Sequence, residues 1–88
     1  MVASEDYLSL IIATARRAFE DELADAYAAG RQDRLDGLTV EFEDWWFNVR
    51  PSNTEPLLRL NVEARSDELL QEKTAELLGL IRREGGPT

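Results

Sequence analysis

The sequence predicts an α+β fold: a small antiparallel sheet of three to four strands with two helices packed on one face, in the order α-β-β-β-α. Three observations lead there. Apolar residues recur every three or four positions near both ends of the chain, the spacing of a helix stripe. Across residues 38–64 the apolar period falls to two, the alternation of half-buried strands. Only short polar connections separate those strand-like segments, which favours antiparallel neighbours over crossovers and gathers the flanking helices on one face. Residues 1–88 read as one domain, without repeats, linkers or low-complexity segments.

The first helix is expected to start at Ser4, a capping residue followed by Glu5 and Asp6, the sign a helix N-terminus favours. Its stripe is Leu8, Ile11, Ile12, Ala15, Phe19, Leu23, Ala26 and Tyr27, and Gly30 ends it before a polar stretch to Arg34. That gives about 25 residues, long for so small a domain, which leaves room for a break in the stretch from Glu20 to Leu23. Leu38, Val40 and Phe42 alternate with Thr39 and Glu41 as the first strand, and Glu43-Asp44 marks a turn. Trp45, Phe47 and Val49 carry the second strand. Leu58, Leu60, Val62 and Ala64 form the core face of the third, with Leu57, Arg59, Asn61 and Glu63 opposite. Ser66 caps a second helix opened by Asp67 and Glu68. Its stripe is Leu69, Leu70, Thr74, Leu77, Leu78 and Ile81, and Arg82-Arg83 then Gly85-Gly86-Pro87 end it. Tyr7, Phe19, Tyr27, Phe42 and Phe47 read as packing residues.

Composition narrows the function classes. With 43% hydrophobic residues, the chain supports one modest core. There is no cysteine, which excludes disulfides and thiolate metal sites and suits a reducing compartment. There is no histidine, which removes the commonest general base and the commonest zinc ligand together. No apolar run is long enough to span a bilayer, and Glu5, Asp6, Arg16 and Arg17 interrupt any signal-peptide pattern, so a soluble cytoplasmic protein is expected. The net charge of −8, from 18 acidic and 10 basic residues, repels nucleic acid and anionic membranes, and neither is expected as a partner. Any phosphate site must then be a local positive spot, and Arg50 with Arg59 is the best candidate. Charges more than about 8 Å away are largely screened at physiological salt.

The stretch Arg50-Pro51-Ser52-Asn53-Thr54-Glu55-Pro56 concentrates a guanidinium, two hydroxyls and an amide in a short loop between two strands. A dianionic phosphate asks for that set: a planar fork for two oxygens, with hydroxyl, amide and backbone N–H donors for the rest. Pro51 and Pro56 fix φ at both shoulders, so less entropy is lost on ordering. The plainer alternative is a polar hairpin loop whose Asn and Ser satisfy their own backbone.

Asp36-Gly37-Leu38, followed by the continuous run from Trp46 through the Arg50 loop to Leu57-Leu58-Arg59-Leu60-Asn61-Val62-Glu63-Ala64, resembles the C-terminal domain of the α-D-phosphohexomutases, of phosphomannomutase/phosphoglucomutase type. The resemblance covers residues 36–64 well and the following helix loosely. It implies that the R-x-S-N-T loop holds the non-transferred phosphate of a sugar phosphate through Arg50, Ser52, Asn53 and Thr54. Arg59 is a further candidate for that phosphate, set against a solvated strand arginine, and Glu55 reads as a surface residue or an ion-pair partner. Trp45 and Trp46 fall on opposite strand faces; one is core, and the other covers the exposed sheet face or stacks on a sugar ring.

The resemblance also sets limits. The family transfers phosphoryl through a phosphorylated serine in a T-x-S-H-N-P-like segment, a D-G-D-x-D-R magnesium loop and a separate sugar-recognition loop, and none of the three is present. The clusters Glu41, Glu43, Asp44 and Glu20, Asp21, Glu22, Asp25 lack that metal-loop spacing and read as solvated faces. No catalytic residue and no cofactor is therefore assigned to this chain, with magnesium expected only in the missing domains of a full enzyme. The expected partners are a sugar phosphate or inorganic phosphate, and other mutase domains or a full-length mutase in trans. The family's domain usually opens with a further strand, for which the expected first helix leaves only residues 1–3, so an exposed sheet edge is anticipated. An interaction module docking a partner through that long helix or edge, and a fragment of a complete enzyme, are the alternatives.

Overall fold

The computed structural model describes residues 1–9, 16–51 and 57–84. Among them the elements run β1 (Val2–Ser9), α1 (Arg16–Ala26), β2 (Arg31–Asp33), β3 (Leu38–Glu41), β4 (Trp45–Pro51), β5 (Leu57–Ala64) and α2 (Asp67–Glu84). The described strands form one antiparallel sheet in the spatial order β1-β5-β4-β3-β2.

The period-two segments become strands as expected. Leu38 and Val40 of β3, Trp45, Phe47 and Val49 of β4, and Leu58, Leu60, Val62 and Ala64 of β5 are all buried on one face. α2 packs on β5 and β1 and brings the fully buried Leu77 and Ile81; α1 packs on α2 and β3 and brings Leu23 and Ala24. Both helices thus cover the same face. Tyr27, just past α1, meets Phe42, Trp45 and Phe47 edge-on at centroid distances of 6.1, 5.5 and 5.2 Å. Such pairs add about 0.5–1.5 kcal/mol each beyond the area they bury. Its hydroxyl donates to Glu76 Oε1 at 2.5 Å and ties the end of α1 to α2. Burial, then that hydrogen bond, then the Glu76 charge hold the Tyr27 phenol well above its ordinary pKa. The α2 cap is also as expected: Ser66 Oγ accepts the Leu69 N–H at 3.2 Å, and Ser66 O the Leu70 N–H at 2.9 Å.

The N-terminal expectation fails. Val2–Ser9 is a strand, not the start of a helix, and it pairs with β5 along its whole length, from Val2 opposite Ala64 to Ser9 opposite Leu57. The element order is therefore β-α-β-β-β-β-α. The edge of β5 is covered, and β1 and β2 are the outer strands. The α1 helix spans Arg16–Ala26, so no helix of about 25 residues starts at Ser4. The physical reason is that β1 carries no alternation of its own. The positions opposite Val62 and Leu60 are Ser4 and Asp6, both polar, and Ser4 Oγ lies 3.2 Å from Thr74 Oγ1 on α2. Pairing across the chain, not local pattern, makes this segment extended. The polar stretch after Gly30 likewise holds a short exposed strand, β2, laid against β3. Ala26 is exposed, and Ile11, Ile12 and Ala15 lie outside the described residues.

Candidate functional site

Strand parity sends alternate side chains to the face away from the helices. On β4 these are Trp46, Asn48 and Arg50; on β5, Arg59, Asn61 and Glu63; on β1, Ala3, Glu5 and Tyr7. Register then aligns them in rows. Tyr7 lies opposite Arg59, and Arg59 opposite Arg50, so two guanidinium-bearing residues are direct cross-strand neighbours. The next row holds Glu5, Asn61 and Asn48, and the one beyond it Ala3, Glu63 and Trp46.

Like charges directly opposite one another are destabilising on a sheet. Each arginine is compensated by its own carboxylate. Arg50 Nη1 donates to Asp36 Oδ2 at 2.6 Å, and Arg59 Nε lies 3.6 Å from Glu5 Oε2, with its guanidinium 5.7 Å from the centre of the Tyr7 ring. The two arginine side chains are about one-third exposed, at 35% and 33%. Pairs this accessible contribute little net stability, at most about 1 kcal/mol each. Their effect is to hold two cations side by side at the end of the ladder.

Asp36 is placed by a built turn. The Asp33 carboxylate accepts the Leu35 N–H at 2.7 Å, and Asn48 Nδ2 donates to Asp36 O at 2.8 Å and to Thr39 Oγ1 at 2.9 Å. Asn48 is only 9% exposed, so these bonds satisfy a buried amide. Gly37 has φ +74°, and a Cβ there would lie 2.1 Å from Val49 O and 2.7 Å from Arg50 Cβ. Only glycine lets the turn lie flat on Arg50.

Among the expected site residues, Arg50 and Arg59 are brought together. Ser52, Asn53 and Thr54, with Glu55, lie outside the described residues. β4 ends at Pro51, opposite Leu58. Trp45 is core and Trp46 lies on the other face, where its Nε1–H donates to Glu63 Oε1 at 3.0 Å. Tyr7, expected to pack, is 51% exposed beside Arg59. Sequence reasoning missed Glu5, Tyr7 and Asn48 as neighbours of the pair. The Asp-Gly step ahead of an alternating run was a turn signal for Asp36. No local signal marked Glu5 or Tyr7, because β1 finds its partner at the far end of the chain.

The acidic clusters engage separate cations. Arg34 meets Glu20 and Asp21 at 3.7 and 3.1 Å, Arg31 meets Glu41 at 3.4 Å, and Arg65 meets Asp44 at 3.2 Å. Among the described residues no three Asp or Glu gather as a metal site, and no helix is long and apolar enough to cross a membrane.

Comparison with known proteins matches residues 12–80 to the family model described as phosphoglucomutase/phosphomannomutase, C-terminal domain. The chain is 50% identical over 56 residues to the phosphomannomutase of Escherichia coli, covering 62% of this chain and 12% of that protein. Against the phosphomannomutase of Methanocaldococcus jannaschii it is 49% identical over 51 residues, 58% of this chain and 11% of the relative. Against the phosphohexose mutases of Xanthomonas campestris pv. campestris the figures are 55% over 51 residues, 57% and 11%. The chain thus matches only about one-ninth of the length of these relatives.

Proposed function

Because the chain belongs to the phosphoglucomutase/phosphomannomutase C-terminal domain family, we propose that it binds the phosphate group of a sugar phosphate, anchoring the phosphate that is not transferred. Arg50 and Arg59 provide the cationic grip, and Ser52, Asn53 and Thr54 add hydroxyl, amide and backbone donors. The observation that carries this reading is the direct cross-strand placement of Arg50 and Arg59 on a sheet face that neither helix covers. Two planar guanidinium groups can each present a fork of N–H donors to a phosphate dianion. In a full-length mutase this domain clamps the distal phosphate, closes over the reacting centre by hinge motion and releases the intermediate so that it can turn around. It breaks no bond itself. In this reading magnesium is held by other parts of a full enzyme. Other mutase domains, in the same chain or in trans, are the protein partners, and the absence of cysteine suits the cytoplasm.

Backbone amide shifts followed during titration with mannose 1-phosphate, glucose 1-phosphate and inorganic phosphate test the reading. Saturable shifts near residues 50–59, lost in Arg50→Ala, support it. No shift at millimolar ligand sinks it.

A further inference from the structure

The arginine pair is electrically neutral as it stands. Arg50 and Arg59 each meet a carboxylate, Asp36 and Glu5, in a chain whose net charge is −8. A phosphate dianion approaching this face finds both cations occupied, and no long-range attraction draws it in. Building on the phosphate reading above, we propose that Asp36 and Glu5 are exchangeable counter-ions that regulate the grip. They hold the arginines in the empty protein, yield them to phosphate, and take them back as it leaves.

The surroundings of each carboxylate keep the cost of exchange small. Asp36 Oδ2 accepts from Arg50 Nη1 at 2.6 Å, but the Asp36 side chain is 70% exposed, so water takes over the carboxylate once it is released. Glu5 Oε2 lies 3.6 Å from Arg59 Nε, too far for a hydrogen bond, while Glu5 Oε1 accepts the Tyr7 hydroxyl at 3.0 Å. Glu5 therefore keeps a partner when Arg59 turns to the ligand. Neither carboxylate is left buried and unpaired, the condition that makes breaking an ion pair costly. An exposed pair of this kind resists displacement by no more than about five-fold.

Both arginines stay supported after the exchange. The turn at Gly37 lies against Arg50, where a Cβ on the glycine would come within 2.7 Å of Arg50 Cβ. The Tyr7 ring, 5.7 Å from the Arg59 guanidinium, is an uncharged partner that does not compete with an anion. The consequence for the site is reversibility. Two unopposed guanidinium groups would hold a dianion tightly and release it slowly. Carboxylates tethered beside them act at an effective concentration of about millimolar or above, so they reclaim the cations whenever the phosphate lifts off. That suits a phosphate that is anchored and then let go.

The test titrates the whole 88-residue chain with inorganic phosphate and with mannose 1-phosphate, by calorimetry and by the side-chain carboxyl resonance of Asp36. The expected result is that either ligand moves that resonance, and that Asp36→Asn binds both about five-fold more tightly, with slower release. Glu5→Gln acts in the same direction and guards against a folding defect in the first variant. Asp44→Asn removes the same charge beside Arg65, beyond the other end of β4, and leaves both affinities as they are. Weaker binding in Asp36→Ala, equal tightening in Asp44→Asn, unchanged affinity in Asp36→Asn, or a silent Asp36 resonance at saturation overturns the exchange and leaves the phosphate reading standing. Failure of wild type to bind either ligand overturns both.

Discussion

The Arg50 guanidinium donates to the Asp36 carboxylate at 2.6 Å across a separation of 14 residues, and the backbone between Asp36 and Leu38 lies against Arg50 itself. A cation at the end of a strand is thereby steered from outside that strand. The carboxylate is mostly exposed, at 70%, so the pair adds little to stability. Its consequence is positional.

Arg50→Ala should therefore separate binding from folding. Unfolding in urea is expected to shift by no more than about 1 kcal/mol, while phosphate-induced amide shifts disappear. Arg50→Lys should restore charge without the planar fork, giving partial binding at best. A large loss of stability in either variant contradicts the role assigned here.

Gly37 and Gly79 should respond oppositely to alanine. At Gly37 the new methyl meets a carbonyl oxygen 2.1 Å away in a left-handed backbone, and the cost should reach at least about 2 kcal/mol. At Gly79, inside α2, a Cβ meets nothing within 4 Å, and alanine should stabilise by about 0.5–1 kcal/mol. Thermal melts of the two variants decide the point.

Tyr27 makes stability depend on alkaline pH. Its phenol has a pKa raised in the folded state above the unfolded value of about 10, first by burial and then by Glu76. The contribution is fully present below about pH 10 and is lost above it, because the unfolded tyrosine ionises first. Urea midpoints at pH 8 and pH 10.5 should fall more in wild type than in Tyr27→Phe. The variant should also lose about 1 kcal/mol at pH 8 with the Glu76 hydrogen bond. Parallel slopes for the two proteins exclude this origin.

Asn48 anchors the turn that carries Asp36. Asn48→Leu leaves the Asp36 carbonyl and the Thr39 hydroxyl without their donor, at a cost of about 1–3 kcal/mol. Hydrogen exchange should quicken across residues 34–37 ahead of the rest of the sheet. Uniform acceleration everywhere speaks against a local anchor.

Three strands and the second helix were legible because their information is local. Leu38 to Val40, Trp45 to Val49 and Leu58 to Ala64 alternate cleanly, and Ser66 precedes a helix stripe ending at Ile81. The resemblance carried by the Arg50 loop led to the family that the comparison shows. The residues around the arginines were mostly not legible. Tyr7 and Glu5 sit on a strand whose inward positions include Ser4 and Asp6, so nothing nearby distinguishes that strand from a capped helix.

Taken alone, then, the alternation across residues 38–64 determined which of those strand residues enter the core and which face Arg50 and Arg59 take, since parity along a strand needs no partner. Only the folded arrangement decided that these two arginines oppose each other, that β1 closes the edge beside them, and that Asp36 and Glu5 supply their counter-charges. The reason is that register and edge pairing are long-range choices, made by burial against α2 and by ladder hydrogen bonds between segments distant in sequence.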